Sequence, residues 1–233
     1  MRIGILSDIH GNLPALQAVQ RELERHQVDQ IVNLGDVAFR GPAPRECWEA
    51  VRAMGAPVLR GNTEDWLTGA AAIPAPLAPI RDWTLARLDD GMLAEMGALP
   101  FDHRIEAYGK RIRFVHGSPQ SNMEFIFPFT PEEELTRAVV GAEAEILVMG
   151  HTHWTFSRRI AGVHLIGVGS IGLPFDGDPG AAFAVLEVTA DAVRLTHLRV
   201  SYDGERTLSM AQESGFPDGE FLASAVKYGR RPE

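Results

Sequence analysis

One cysteine, Cys47, stands in a chain of 233 residues. A lone thiol excludes an internal disulfide framework and a thiolate metal cluster, and Cys47 reads as a small half-buried residue on a helix. The sequence also lacks any run near the ~18 consecutive apolar residues that a membrane span needs. Its opening apolar stretch is too short for a signal peptide because it ends at Asp8. A cytoplasmic protein with no membrane partner is expected. Positive charge is in deficit: 22 Lys and Arg against 31 Asp and Glu leave a net charge of -9 with His neutral. That balance argues against strong non-specific binding to nucleic acid. Repeats and low-complexity tracts are absent. What remains, 45% hydrophobic and 23% charged residues, is the composition of a globular chain long enough to bury a real core.

The organising stretch is the first one. Arg2 to Leu6 is too short for a helix and suits a buried parallel strand; Ser7-Asp8-Ile9-His10-Gly11-Asn12 comes next. Asp8 and His10 alternate with Ile9, so both side chains can leave the strand end on one face. Asn12 can cap a helix whose apolar positions Leu13, Leu16, Val19 and Leu23 recur at helical spacing. A carboxylate and an imidazole projected from a strand end suit a metal, because ligands of open α/β sheets collect there. One Asp-x-His alone is equally well explained as loop polarity.

The same grammar recurs. Gln30 to Leu34 reads as a strand ending at Gly35-Asp36, and Pro57 to Leu59 as a short strand ending at Arg60-Gly61-Asn62-Thr63. Strands over 111–115 and 145–149 end at His116 and at Gly150-His151-Thr152-His153. Hairpins are expected around Tyr108-Gly109 and Ala161-Gly162, with two further strands over 182–188 and 192–200. Between them lie a helix over 45–54, one begun by Pro131, and one or two short helices after 205. Residues 65–100 change character: Pro74, Pro76 and Pro79 break regular structure, and Trp83 to Met96 suggest one or two helices. That segment reads as a helical insertion beside the active face, within one domain of residues 1–233.

Five strand ends thus carry Asp8 and His10, Asp36, Asn62, His116, and His151 with His153. Imidazoles, carboxylates and an amide carbonyl suit divalent manganese first, with iron, zinc, nickel or cobalt as alternatives. Two ions held close need a shared anion. A carboxylate can bridge where an imidazole cannot, so Asp36, central in order, is the natural bridge. His26, His103, His164 and His197 lie off these positions and read as surface or structural residues.

Asp8-x-His10, Gly35-Asp36, Gly61-Asn62, His116 and Gly150-His151-Thr152-His153, in this order, resemble the signature of the calcineurin-like metallophosphoesterases over about residues 1–175. The resemblance implies an α/β fold: a four-layer α/β/β/α sandwich of two packed mixed sheets with a dinuclear metal centre at the strand ends. By the family pattern, Asp8, His10 and His153 would hold one ion and Asn62, His116 and His151 the other, with Asp36 shared. It further implies a hydrolase, in which a metal-bridging hydroxide attacks a phosphodiester of nucleotide type more readily than a monoester. Many members place His after the Gly-Asn pair as a proton donor; this chain has Thr63 there. Asn12, Arg40 and Thr63 are the candidates for touching substrate. A small phosphoester or nucleotide is the expected partner, and an oligomer is compatible with the sequence. The rival is a metal-binding scaffold of the same fold without turnover.

Overall fold

The computed structural model describes residues 1–232. Among these residues nine strands form, β1 Arg2–Leu6, β2 Gln30–Asn33, β3 Asp102–Ala107, β4 Lys110–Val115, β5 Ile146–Met149, β6 Thr155–Ile160, β7 Val163–Val168, β8 Ala181–Val188 and β9 Val193–Val200. Eight α-helices accompany them, α1 Leu13–His26, α2 Pro44–Ala53, α3 Asn62–Thr68, α4 Ala78–Leu85, α5 Asp90–Gly97, α6 Glu132–Ala138, α7 Gly204–Ser214 and α8 Gly219–Tyr228. One sheet has the order β2-β1-β8-β9 and the other β3-β4-β5-β7-β6. Both are mixed: β1 pairs parallel with β2 and antiparallel with β8, while β5 lies parallel to β4 and β7 between antiparallel edges.

Period-two alternation explains why the sheets stack. Ile3 and Ile5 of β1 face the second sheet, joining Val32, Phe114, Ile146, Val148 and Ile166 in a core between the two. Leu6 faces outward and packs with Leu16, Val19, Trp48, Phe183 and Ala225 beneath α1, α2 and α8. On the far side Leu147 and Met149 pack with Leu135 and Ala138 of α6. Each fully buried side chain of this kind contributes about 1.5–3 kcal/mol. The result is the α/β/β/α layering. Among the described residues, no helix is long and apolar enough to cross a membrane.

Two expectations need correction. Pro57 to Leu59 is not a strand; only one parallel bridge joins Asn33 to Val58 before α3 starts at Asn62. Pro57 contributes a carbonyl to the Asn33 N–H but has no N–H of its own, which keeps the pairing this short. Within 65–100 the helices begin earlier than Trp83. A 3₁₀ turn at Ala75–Leu77 runs into α4, whose first turn holds Pro79. A proline there interrupts nothing, because that N–H has no partner within the helix. Ile80 of α4 and Met96 of α5 are buried in the same core as Trp48.

Backbone crossings, rather than side chains alone, close the strand-tip face. Gly172, in the loop after β7, donates its N–H to the Asp8 carbonyl at 3.0 Å. A Cβ at Gly172 would stand 1.9 Å from the Ile9 carbonyl oxygen. Gly172→Ala should therefore cost about 1–3 kcal/mol as overpacking, lowering the melting temperature by roughly 2–12 °C for a chain of this size. Gly219→Ala, at the first position of α8 with open space around it, should leave melting unchanged or slightly raised.

Candidate metal centre

The strand tips form one cluster. Asp8 and His10 follow β1, Asp36 follows β2, Asn62 opens α3, His116 follows β4, and His151 and His153 follow β5. Five of these seven residues have left-handed backbone: Asp8 (φ 54), His10 (49), Asp36 (56), His151 (64) and His153 (63). Each such conformation costs a non-glycine residue about 1–2 kcal/mol, so neighbouring bonds must hold it. They do. Asp8 N donates to Gly35 O and His10 N to Asp36 O, both at 3.0 Å, continuing the β1–β2 pairing past the strand ends. Ser170 Oγ donates to the Asp8 carbonyl at 2.7 Å and accepts from Leu173 N at 2.8 Å, tying in the loop after β7.

Two triads result. Asp8, His10 and His153 offer ligand atoms within 4.8 Å of one another, and so do Asp36, His116 and His151. Asp36 stands between them: one carboxylate oxygen lies 3.7 Å from His10 Nε2 and the other 3.4 Å from His116 Nε2. Asn62 Oδ1 is 3.0 Å from His116 Nε2. All seven are buried, none above 8% exposure, in a region where uncompensated charge is expensive.

The donor pattern fits divalent cations. His10 Nδ1 and His116 Nδ1 lie 2.8 Å from the Phe39 and Leu34 carbonyl oxygens, and His153 Nδ1 meets the Leu173 carbonyl. Only an N–H satisfies a carbonyl, so each ring turns its Nε2 inward, the orientation that backbone partners give metal-ligating histidines. Yet His10 Nε2 and His153 Nε2 are 3.2 Å apart, so without a cation one ring must take an extra proton or two lone pairs face each other. His151 Nε2 is buried with no hydrogen-bond partner, and Asp8 Oδ1 faces the Nε2 atoms of His153 and His10 at 3.1 and 3.7 Å. A cation among these atoms relieves both conflicts.

The protein's own field prepares the site. Burial would lower the His116 pKa, but the Asp36 carboxylate outweighs it and pushes it up to about 10. His10 is raised too: burial opposes, and its bond to Asp8 and the charge of Asp36 prevail. Burial, then the charge of His116, pushes His151 down to about 4. Burial favours the neutral acid at Asp36, yet His116 brings it down to about 2. The carboxylates stay ionised and present their charge to whatever occupies the cluster.

Three positions differ from the sequence-based expectation or add to it. Asn12 is not a substrate contact: it is fully buried, capping α1 through Ala15 N and bonded to Gly172 O, Tyr202 Oη and Thr207 Oγ1. Thr63 lines the cavity, but its Oγ1 and N both donate to Asp36 Oδ1, at 2.9 and 3.0 Å. Arg40 also lines it and pairs with Asp218 at 2.8 Å. Off the cluster, His164 meets Ser157 Oγ and His197 meets the Gly167 carbonyl, both at structural positions.

Sequence reasoning passed over Glu64. Its buried carboxylate accepts the N–H groups of Asp36, Val37 and Gly61, each at 2.9 Å, and so clamps two ligand loops together. Burial, then the charge of Asp36, pushes its pKa up to about 7 against the pull of those donors. A glutamate three residues after a helix cap is a readable signal, since it returns to the cap N–H. In Glu64→Gln the side-chain amide must face one of those three N–H groups. That change should destabilise by about 1–3 kcal/mol and weaken metal loading about 10–100-fold, read by melting and by metal titration.

The cavity these residues line is small, about 100 Å³, and its mouth is walled by Phe39, Trp66, Leu77, Phe125 and Phe175. Comparison with known proteins is consistent throughout. A family model described as a calcineurin-like phosphoesterase superfamily domain matches residues 1–191. A metallophosphoesterase of known structure from Sphaerobacter thermophilus is 30% identical with a TM-score of 0.83, covering 98% of this chain and 99% of that one. Hypothetical protein PH1004 from Pyrococcus horikoshii shares the fold, with a TM-score of 0.87, 21% identity and 99% of each chain covered. The uncharacterized protein MJ0912 of Methanocaldococcus jannaschii is 25% identical over 250 residues, 98% of both chains. The chain belongs to the calcineurin-like phosphoesterase superfamily, a family of metal-dependent hydrolases.

Proposed function

We propose that this protein hydrolyses phosphodiesters of nucleotide type at a dinuclear centre held by Asp8, His10, Asp36, Asn62, His116, His151 and His153. Residues 1–233 act as one catalytic unit, with the helices of 65–100 beside the mouth. The observation that carries this reading is Asp36, whose two oxygens each face a different triad. Manganese is the first choice of metal, and the nitrogen and oxygen donors also suit iron, zinc, nickel or cobalt. When bound, two such cations neutralise the phosphoryl oxygens and acidify water. In the reaction a water oxygen bonds to phosphorus, the ester P–O bond breaks, and the leaving oxygen takes a proton from solvent.

The chain's own residues divide the remaining work. Thr63 fixes the Asp36 carboxylate and cannot serve as an acid near neutral pH, so the leaving group receives little help from it. Phe125 stacks on the His151 ring at 4.3 Å. Phe127 and Phe129 continue the stack with ring planes 4° apart, and Phe125 and Phe129 are exposed. A flat aromatic substituent on the phosphate, such as a base, suits that wall, and it supports the nucleotide-type reading over a simple monoester.

Manganese loading should reach two ions per chain, and Asp36→Asn should bind both sites more weakly, by elemental analysis after desalting. Loading should fall as pH drops, because imidazole ligands must be neutral and His116 takes a proton readily. The loaded protein should hydrolyse bis-p-nitrophenyl phosphate faster than p-nitrophenyl phosphate. Full loading without turnover of either would favour the scaffold reading.

Absent a side-chain acid, the rate should fall steeply as leaving-group pKa rises. General acid catalysis is worth ~10²–10⁴-fold, so poor leaving groups should suffer by that order relative to aryl esters. A series of aryl and alkyl diesters measures the slope; a shallow one would mean that another group supplies the proton.

A further inference from the structure

Although the chain carries a net charge of -9, two guanidinium groups converge on the mouth of the metal cavity. Arg40 follows Phe39, whose carbonyl orients His10, and its backbone is left-handed (φ 73). Its Nε donates to Asp218 and its guanidinium lies 3.4 Å from the centre of the Phe221 ring. Its two terminal nitrogens have no hydrogen-bond partner among the described residues. Arg231 stands 4.8 Å above the Phe175 ring, with no carboxylate partner among the described residues. Phe175 in turn stacks on the ligand His153 at 4.4 Å with planes 7° apart, and meets Phe221 edge-on at 5.7 Å. The two phenylalanines thus hold both cations beside one triad, with the terminal nitrogens of Arg40 and the donor edge of Arg231 unspent.

Aromatic support alone would account for one cation over one ring. It does not account for two like charges at one opening when Asp218 pairs with only one of them. Partial desolvation and then the charge of Arg40 hold the Arg231 guanidinium below its usual range, so the two share one field. An anion placed between them relieves that repulsion, and planar guanidinium forks match phosphate oxygens in pairs.

We propose that Arg40 and Arg231 form a second anion subsite, so that the substrate carries a further phosphate beyond the one cleaved: a nucleotide with a phosphate chain. The proposal rests on the phosphoesterase reading above and narrows it. It also agrees with Thr63, since a phosphate chain departs without help from a strong acid.

The test compares binding of two non-hydrolysable probes to manganese-loaded protein by calorimetry: α,β-methylene adenosine diphosphate, and an adenosine monophosphonate lacking the second phosphate. The natural chain should prefer the first at least 10-fold, and the preference should shrink with added salt. Arg231→Gln, at an exposed position, should cut the preference about 5-fold or more, and Arg231→Lys should restore part of it. Arg40→Gln should act in the same direction. Equal affinity for both probes, or a preference that survives both glutamine substitutions, would overturn the subsite. Hydrolysis of bis-p-nitrophenyl phosphate by the natural chain is measured alongside. Its absence would count against the hydrolase reading alone, because the binding ratio does not depend on turnover.

Discussion

The structure depends on an electrostatic constraint: two carboxylates and four imidazoles are packed into a space almost closed to water. Left to themselves, such groups run short of partners, as the buried Nε2 of His151 shows. Every loop at the strand tips is shaped to hold them there nonetheless. Left-handed backbone turns five of the side chains inward, and main-chain carbonyls fix three of the ring tautomers. Preorganisation of this kind places the cost in folding, where the inter-sheet core offsets it, rather than in binding.

The clamps are arranged in layers of increasing distance from the ligands. Thr63 and Ser7 hold carboxylate oxygens directly. Glu64 holds the backbone that carries Asp36, and Ser170 holds the backbone that carries Asp8. Glycines admit the close crossings: a Cβ on Gly61 would meet Asp36 Oδ1 at 2.1 Å, and one on Gly150 would meet Ser7 Oγ at 2.0 Å. The small residues before Asn62 and His151 are therefore part of the site, although they bind nothing.

Much of this was legible in the sequence because the chemistry is punctuated by strand ends. An apolar run of four or five residues followed by a polar tip is visible without any partner, and the seven residues so marked do meet. Asn12 misled because capping a helix and touching a substrate call for the same side chain. The helix α4 was hidden by prolines that read as breakers but stand in a first turn. Phe125, Phe175, Phe221 and Arg231 carry no local pattern, since they converge from segments far apart in the chain. Only tertiary packing reveals them.

The match to the family ends at residue 191, whereas Asp218, Phe221 and Arg231 lie beyond that point. Their C-terminal segment is also anchored at the heart of the molecule, because Tyr202 and Thr207 hydrogen-bond to Asn12, two residues beyond His10. A chain built this way keeps the candidate ligand cluster and the flank of the mouth on separate stretches of sequence. Changes in the terminal helices would alter what approaches the strand-tip cluster while leaving the loops that carry Asp8 to His153 as they are. The constraint on such changes is the Asn12 junction, which any replacement segment would have to rebuild.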